Sequence, residues 1–235
     1  MMFQRHDLAY LSATGWQQAG GQLGETDQAA LHQWQKADWP AIVRRDEQKG
    51  QGEREQSTVK EISLGIALPP LPGDGSKRRI GFSVATTHIS RLQRPLSLDE
   101  AIGHAPSRWR QELLALDAEA KKMDVILQVY GSLAMQSLTG LHYLTASSDI
   151  DILFSPASLA QLEKSLRLLA DFNHDLPLDG EVIFPDMQAV AWKELSGYLA
   201  SGGFGAMGKM RVLSKSLHGV SLQPISSLLA SFGGA

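Results

Sequence analysis

The chain has 235 residues, 43% of them hydrophobic and 20% charged, with a formal net charge of −3 and no cysteine. That length allows one large domain or two small ones. The absence of cysteine excludes a disulfide framework, a thiolate metal site and a cysteine nucleophile. The slight negative charge argues against a protein that grips long nucleic acid, though a local basic cluster can still hold a few phosphates.

No apolar run reaches the roughly 18 residues of a membrane helix. The start, Met1 to Asp7, has no apolar core like that of a signal peptide. The expectation is a cytoplasmic protein. His6 and Asp7 read as structural or interfacial. Residues 41–45 (AIVRR) predict a strand ending in two arginines. Residues 46–57 (DEQKGQGEREQS) are polar, charged and glycine-containing and predict a loop. Glu61–Leu68 and Arg79–Thr86 predict strands joined by a turn-forming segment, Pro69 to Ser76, which suggests a β-meander. The basic residues Arg44, Arg45, Lys77, Arg78 and Arg79 read as ordinary surface charge, or as contacts for anionic phosphates or an acidic protein. The tryptophans at 16, 34, 39, 109 and 192 read as core.

A boundary near residue 95 divides the chain into a small β-rich module (1–95) and an α/β part (96–235). In the second part, Ser97 reads as an N-cap with Asp99 and Glu100 in the first turn. After Pro106, residues 107–123 predict an amphipathic helix. Val125–Tyr130 predicts a buried strand, Ser132–Leu138 a short helix, Ile150–Phe154 a second strand and Ser158–Phe172 a helix with Leu159, Leu162, Leu166 and Leu169 on one face. Glu181–Phe184 and Gln188–Trp192 predict a hairpin across Pro185 and Asp186.

The chemistry concentrates between these elements. On a strand, Asp149 and Asp151 point one way and Ile150 and Ile152 the other. Two carboxylates so close repel, and a divalent cation relieves the repulsion. Oxygen ligands suit Mg²⁺, which takes one or two carboxylates and completes its shell with substrate phosphates. Upstream, Gly131 permits close backbone approach and Ser132 opens a helix whose N-terminus favours phosphate. An isolated Asp-apolar-Asp is more often incidental. Preceded by strand, Gly-Ser and helix, it reads as a metal-and-phosphate site. Lys215, near Lys209 and Arg211, reads either as a solvated lysine or as one that neutralises phosphate charge. The glycine-rich segment 201–209 reads as a loop.

The strand, Gly-Ser helix and Asp-apolar-Asp strand together resemble the nucleotidyltransferase superfamily. Sixteen residues separate Ser132 from Asp149, which is longer than that superfamily usually shows. The longer form, VYGSLAMQSLTGLHYLTASSDIDIL at 129–153, resembles the phosphoribosyl-dephospho-CoA transferases of malonate decarboxylase, the holo-acyl-carrier-protein synthases. The likeness extends to RHDLAYL (5–11), WPAIVRR (39–45), SLGIALPP (63–70), LDGEVIFPDMQAVAWKEL (178–195) and VLSKS (212–216). Met135 departs from the family, which usually has an aromatic residue there.

The resemblance implies an α+β fold, with the β-rich module followed by a nucleotidyltransferase-like domain on a mixed sheet. It implies transfer of a phosphoribosyl-dephospho-CoA group from triphosphoribosyl-dephospho-CoA to a serine of the acyl-carrier subunit, with pyrophosphate leaving. Asp149 and Asp151 would be catalytic and hold Mg²⁺, while Gly131, Ser132 and Lys215 would bind the triphosphate. The superfamily adds a third carboxylate on a later strand. Glu181 is the choice, because it opens EVIF; Asp179, two residues earlier, could share its face, but Gly180 suggests a turn there. The alternatives are a nucleotidyltransferase acting on RNA or a small molecule, and a binding module that has lost catalysis. The acidic pair weighs against the second.

Overall fold

A computed structural model describes residues 2–46, 60–71, 75–200 and 210–233. Of the expected loop at 46–57 all but Asp46, and the whole of 201–209, lie outside the described residues. The chain divides into two compact units, one of residues 1–95 with 217–219 and the other of 96–216 with 220–235.

The first unit opens with β1 (Leu8–Leu11), α1 (Ala13–Gly20), α2 (Glu25–Ala37) and β2 (Ala41–Val43). It continues with β3 (Glu61–Ala67), β4 (Arg79–Ala85) and β5 (Ile89–Gln93). The strands form an antiparallel sheet in the order β4-β3-β2-β1-β5, so the expected meander is its β2-β3-β4 half. Ser12 caps α1 by accepting from the Gly15 N–H, the usual role of a serine there. Trp16, Leu31, Trp34, Leu64, Phe82 and Val84 are buried. β4 is an edge strand whose open backbone invites wrong pairing. Two glutamine side chains cover it. Gln22 accepts from the Ser83 N–H at 3.0 Å and donates to the Ser83 carbonyl at 2.6 Å, and Gln18 accepts from the Ala85 N–H at 3.0 Å. Asp7 is fully buried. It accepts from the Gln4 N–H at 2.8 Å and from Arg94 Nη1 at 3.0 Å, tying the N-terminal segment to the end of this unit.

The second unit contains β6 (Leu96–Ser97), α3 (Leu98–Ile102), α4 (Ser107–Lys122), β7 (Gln128–Tyr130), α5 (Gly131–Thr139), β8 (Ile150–Phe154) and α6 (Leu159–Phe172). Then come β9 (Leu178–Ile183), β10 (Ala189–Ala191), α7 (Trp192–Ala200), β11 (Arg211–Lys215), β12 (Val220–Pro224) and α8 (Ile225–Ala230). Its sheet has the order β12-β11-β10-β9-β8-β7-β6. The sheet is mixed because β8 and β9 run parallel while the other pairs are antiparallel. That parallel step needs a crossover, and α6 supplies it. The molecule is therefore α+β, with an antiparallel five-stranded and a mixed seven-stranded sheet.

One face of the seven-stranded sheet is apolar. Ile150, Ile152, Phe154, Leu178, Val182, Val190 and Val212 share a core with Leu113 and Leu116 of α4 and Leu162, Leu166 and Leu169 of α6. Full burial of one such side chain contributes about 1.5–3 kcal/mol. This core forces the alternating residues of each strand onto the other face. Leu159, expected with the buried leucines, is 38% exposed at the first position of α6. Three of the five sequence-read tryptophan positions, 34, 109 and 192, are at most 4% exposed.

Two expectations need correction. The strand read over Val125–Tyr130 pairs only from Gln128 to Tyr130. Before it, Val125 and Leu127 are buried and Ile126 is exposed, an alternation that imitates a strand outside the ladder. Second, Gly180 is not in a turn but inside β9. Its φ is +125°, and a Cβ there would lie 1.9 Å from the Ile152 carbonyl oxygen. Glycine here permits a close approach of two strands.

Candidate active site

The polar face of the seven-stranded sheet gathers the chemistry. Asp151 lies opposite Tyr130 across β7 and β8, and opposite Asp179 across the parallel pair β8 and β9. Residues in register share a face at neighbouring-strand spacing, about 4.8 Å. Asp149 stands one residue before β8, exposed, and by alternation shares the Asp151 side while Ile150 and Ile152 are fully buried. Glu181, two residues after Asp179, shares that face. Leu153, Ile183, Ala189 and Tyr130 form a small apolar cluster on it.

Gly131 and Ser132 meet this row through the turn from β7 into α5. Gly131 adopts φ +66°, and a Cβ there would lie 2.0 Å from Asp151 Oδ2. Both the left-handed backbone and the missing side chain are therefore required. Ser132 is buried at the first turn of α5. Tyr130 at the N-cap makes no side-chain cap and no acid occupies the first turn of α5; the Asp151 carboxylate, packed against Gly131, lies beside this helix start.

The structure brings Gly131 against Asp151 and sets Glu181 on the same side of the sheet, with Ser132 in the first turn of α5 and Asp149 one residue before β8, and it gives Glu181 a specific partner. Its carboxylate is buried and accepts from Lys215 Nζ at 2.8 Å. Lys215 ends β11 with its side chain 32% exposed. An ammonium held by a buried carboxylate has lost much of its rotational freedom while still facing solvent. Glu181 is thus engaged by Lys215, and the acid in register with Asp151 is Asp179. The sequence signal for Asp179 was alternation with Glu181, which a turn at Gly180 would have broken.

The sixteen residues between Ser132 and Asp149 are ordered by a glutamine that the sequence did not single out. Gln136 of α5 accepts from the N–H groups of Tyr143 at 3.1 Å and Leu144 at 3.2 Å, and donates to the His104 carbonyl at 2.7 Å. Tyr143 is 1% exposed, and burial pushes its phenol pKa up. Ser148, just before Asp149, accepts from the Thr145 N–H at 2.8 Å. Met135 is buried and packs as an apolar side chain.

Among the described residues no group of three or more His, Asp or Glu side chains forms a ready metal cage. The donor chemistry fits a hard cation that takes only one or two carboxylates from protein and the rest of its shell from phosphates and water. Of the basic residues in the first unit, Arg44 lies across Gly65 and Gly81, where a Cβ would overlap its side chain. Arg78 is paired with Asp27, Arg91 lies over the Tyr10 ring, and Arg79 is exposed. No described helix is long and apolar enough to cross a membrane.

Comparison with known proteins agrees with this organisation. Residues 4–95 match the phosphoribosyl-dephospho-CoA transferase MdcG N-terminal domain and residues 96–225 its C-terminal domain. A protein of Bradyrhizobium diazoefficiens named phosphoribosyl-dephospho-CoA transferase is 36% identical over 200 residues, 82% of each chain. One of Xanthomonas campestris pv. campestris with the same name is 37% identical over 201 residues, covering 83% of this chain and 87% of that protein. A third, from Xanthomonas axonopodis pv. citri, is 36% identical over 198 residues, again 83% and 87%. No solved structure matches. The chain belongs to the phosphoribosyl-dephospho-CoA transferase family, and it is a transferase.

Proposed function

We propose that the enzyme transfers the phosphoribosyl-dephospho-CoA group of triphosphoribosyl-dephospho-CoA to a serine of the acyl-carrier subunit of malonate decarboxylase, releasing pyrophosphate. The observation that carries this reading is the packing of Gly131 against Asp151, with Asp179 in register beside it. That arrangement sets a phosphate-favouring helix start next to a row of carboxylates.

In the reaction the serine oxygen attacks the phosphorus nearest the ribose. A new serine O–P bond forms, the bond to the pyrophosphate oxygen breaks, and the serine proton passes to a carboxylate of the acidic row. Asp149 and Asp151 would hold Mg²⁺, with Asp179 in register beside Asp151. The cation supplies charge neutralisation at the phosphates and polarises the reacting phosphoryl group. The first-turn N–H groups at Gly131 and Ser132 orient the triphosphate. Glu181 holds the Lys215 ammonium, and a fixed cation at this place stabilises negative charge developing on the leaving pyrophosphate.

The test is incubation of the protein with apo-carrier subunit, triphosphoribosyl-dephospho-CoA and Mg²⁺, read by intact-protein mass spectrometry. The expected result is a mass gain of one prosthetic group on the carrier serine, lost in Asp151→Asn. Nucleotide transfer from ATP or CTP to RNA or a small molecule, with the carrier unchanged, would overturn the reading.

A further inference from the structure

The polar face does not end at Lys215. Lys215 lies opposite Val220 and Leu213 opposite Leu222 across β11 and β12. Leu213 and Lys215 are two apart, as are Val220 and Leu222, so all four side chains share one face. It is also the face from which Lys215 reaches Glu181. Leu213 is 43% exposed, Val220 42% and Leu222 57%. These three make a contiguous apolar strip, whereas Leu71, Leu114 and Ile126 are exposed singly on separate segments. Single exposed apolar side chains are ordinary, but a contiguous block marks an interaction surface.

Two of the three, Val220 and Leu222, sit on β12, one edge of the sheet. Edge strands are usually protected by charge or covered. β12, with sequence VSLQP, carries no charge. Arg211, exposed and opposite Pro224, donates to the Leu222 carbonyl at 2.6 Å and puts a positive charge at one end of the strip.

We infer that the strip Leu213, Val220 and Leu222, with Arg211 at its end, is the docking surface for the acceptor protein, which meets it with apolar side chains bordered by acids. The inference rests on the function proposed above. An acceptor that brings a serine to Asp151 and Asp179 lies on this face, and β12 is only three strand spacings from β9, about 14 Å. The strip is thus within the footprint of a small protein already engaged at the acidic row. The basic end suits an acidic partner. A second copy of this chain suits it less, because a symmetric contact on this face brings like acidic rows toward each other.

The test compares Leu222→Asp and Leu222→Ser with the wild type in the transfer assay, varying carrier and donor separately. The side chain is more than half exposed, and Leu222→Ser serves if the charged variant folds poorly, as checked by thermal melting. KM for the carrier is expected to rise at least tenfold in Leu222→Asp and severalfold in Leu222→Ser. KM for the triphosphate donor and kcat at saturating carrier should stay within twofold. A carrier KM within twofold of wild type in the folded variants would overturn the docking site and leave the transferase reading standing. Absence of transfer by the wild type would overturn both. A wild-type dimer that Leu222→Asp splits with no change in carrier KM would assign the strip to a second copy and overturn the inference.

Discussion

At the scale of single residues, the site depends on glycines whose absent side chains are replaced by neighbouring atoms. Gly180→Ala meets both an unfavourable φ and the Ile152 backbone. It should destabilise the chain by at least about 2 kcal/mol, read by denaturant unfolding. Asp151→Asn and Asp179→Asn should each lower kcat by about 10²–10⁴-fold without lowering the melting temperature. Glu181 and Lys215 should behave as one unit. Adding Glu181→Gln to Lys215→Met should cost little beyond Lys215→Met alone in kcat/KM, because both changes remove the same fixed charge. Asp7 gives a pH dependence. Burial raises its pKa despite the opposing Gln4 N–H and Arg94 contacts. The folded state therefore holds this proton more tightly than the unfolded state, and ionised Asp7 lowers stability progressively as pH rises from the ordinary carboxylate value through the raised one. Unfolding of wild type and Asp7→Asn at pH about 4 and about 7 should show the difference moving in favour of Asp7→Asn at the higher pH.

At the scale of elements, the alternation at Asp149 to Ile152 and the caps at Ser97 and Ser158 were legible because they are local. Ser97 makes a capping box with Glu100, and Ser158 accepts from the Gln161 N–H. The strand limits were less legible. Val125 to Leu127 alternates like a strand yet lies outside the ladder, the Val125 N–H donating to Ala120 and the Leu127 carbonyl accepting from Leu98, and Gly180 resembles a turn residue yet lies within a ladder. Pairing is a property of two segments, so neither could be settled from one. The loop before Asp149 is another such case. Three hydrogen bonds of Gln136 hold it across 7, 8 and 32 residues of sequence. Gln136→Ala should speed amide exchange at Tyr143 and Leu144, measured by hydrogen–deuterium exchange, while α6 is unaffected.

At the scale of the molecule, each unit carries its own buried core. Leu64 lies in the first and Leu166 in the second, each fully buried. Truncating either to alanine should cost about 2–5 kcal/mol. Because the two residues lie in different units, the two costs should add. The sequence by itself determined the acidic pair, the Gly-Ser helix start and the change from a β-rich to an α/β part, because these rest on local spacing and backbone geometry. It also carried the family's motif. Only the tertiary structure decided which acid faces Asp151, which one holds Lys215, and that Leu213, Val220 and Leu222 extend the same face. Those outcomes depend on strand register, which is set by burying the opposite face against α4 and α6 and by the close approach that Gly180 permits.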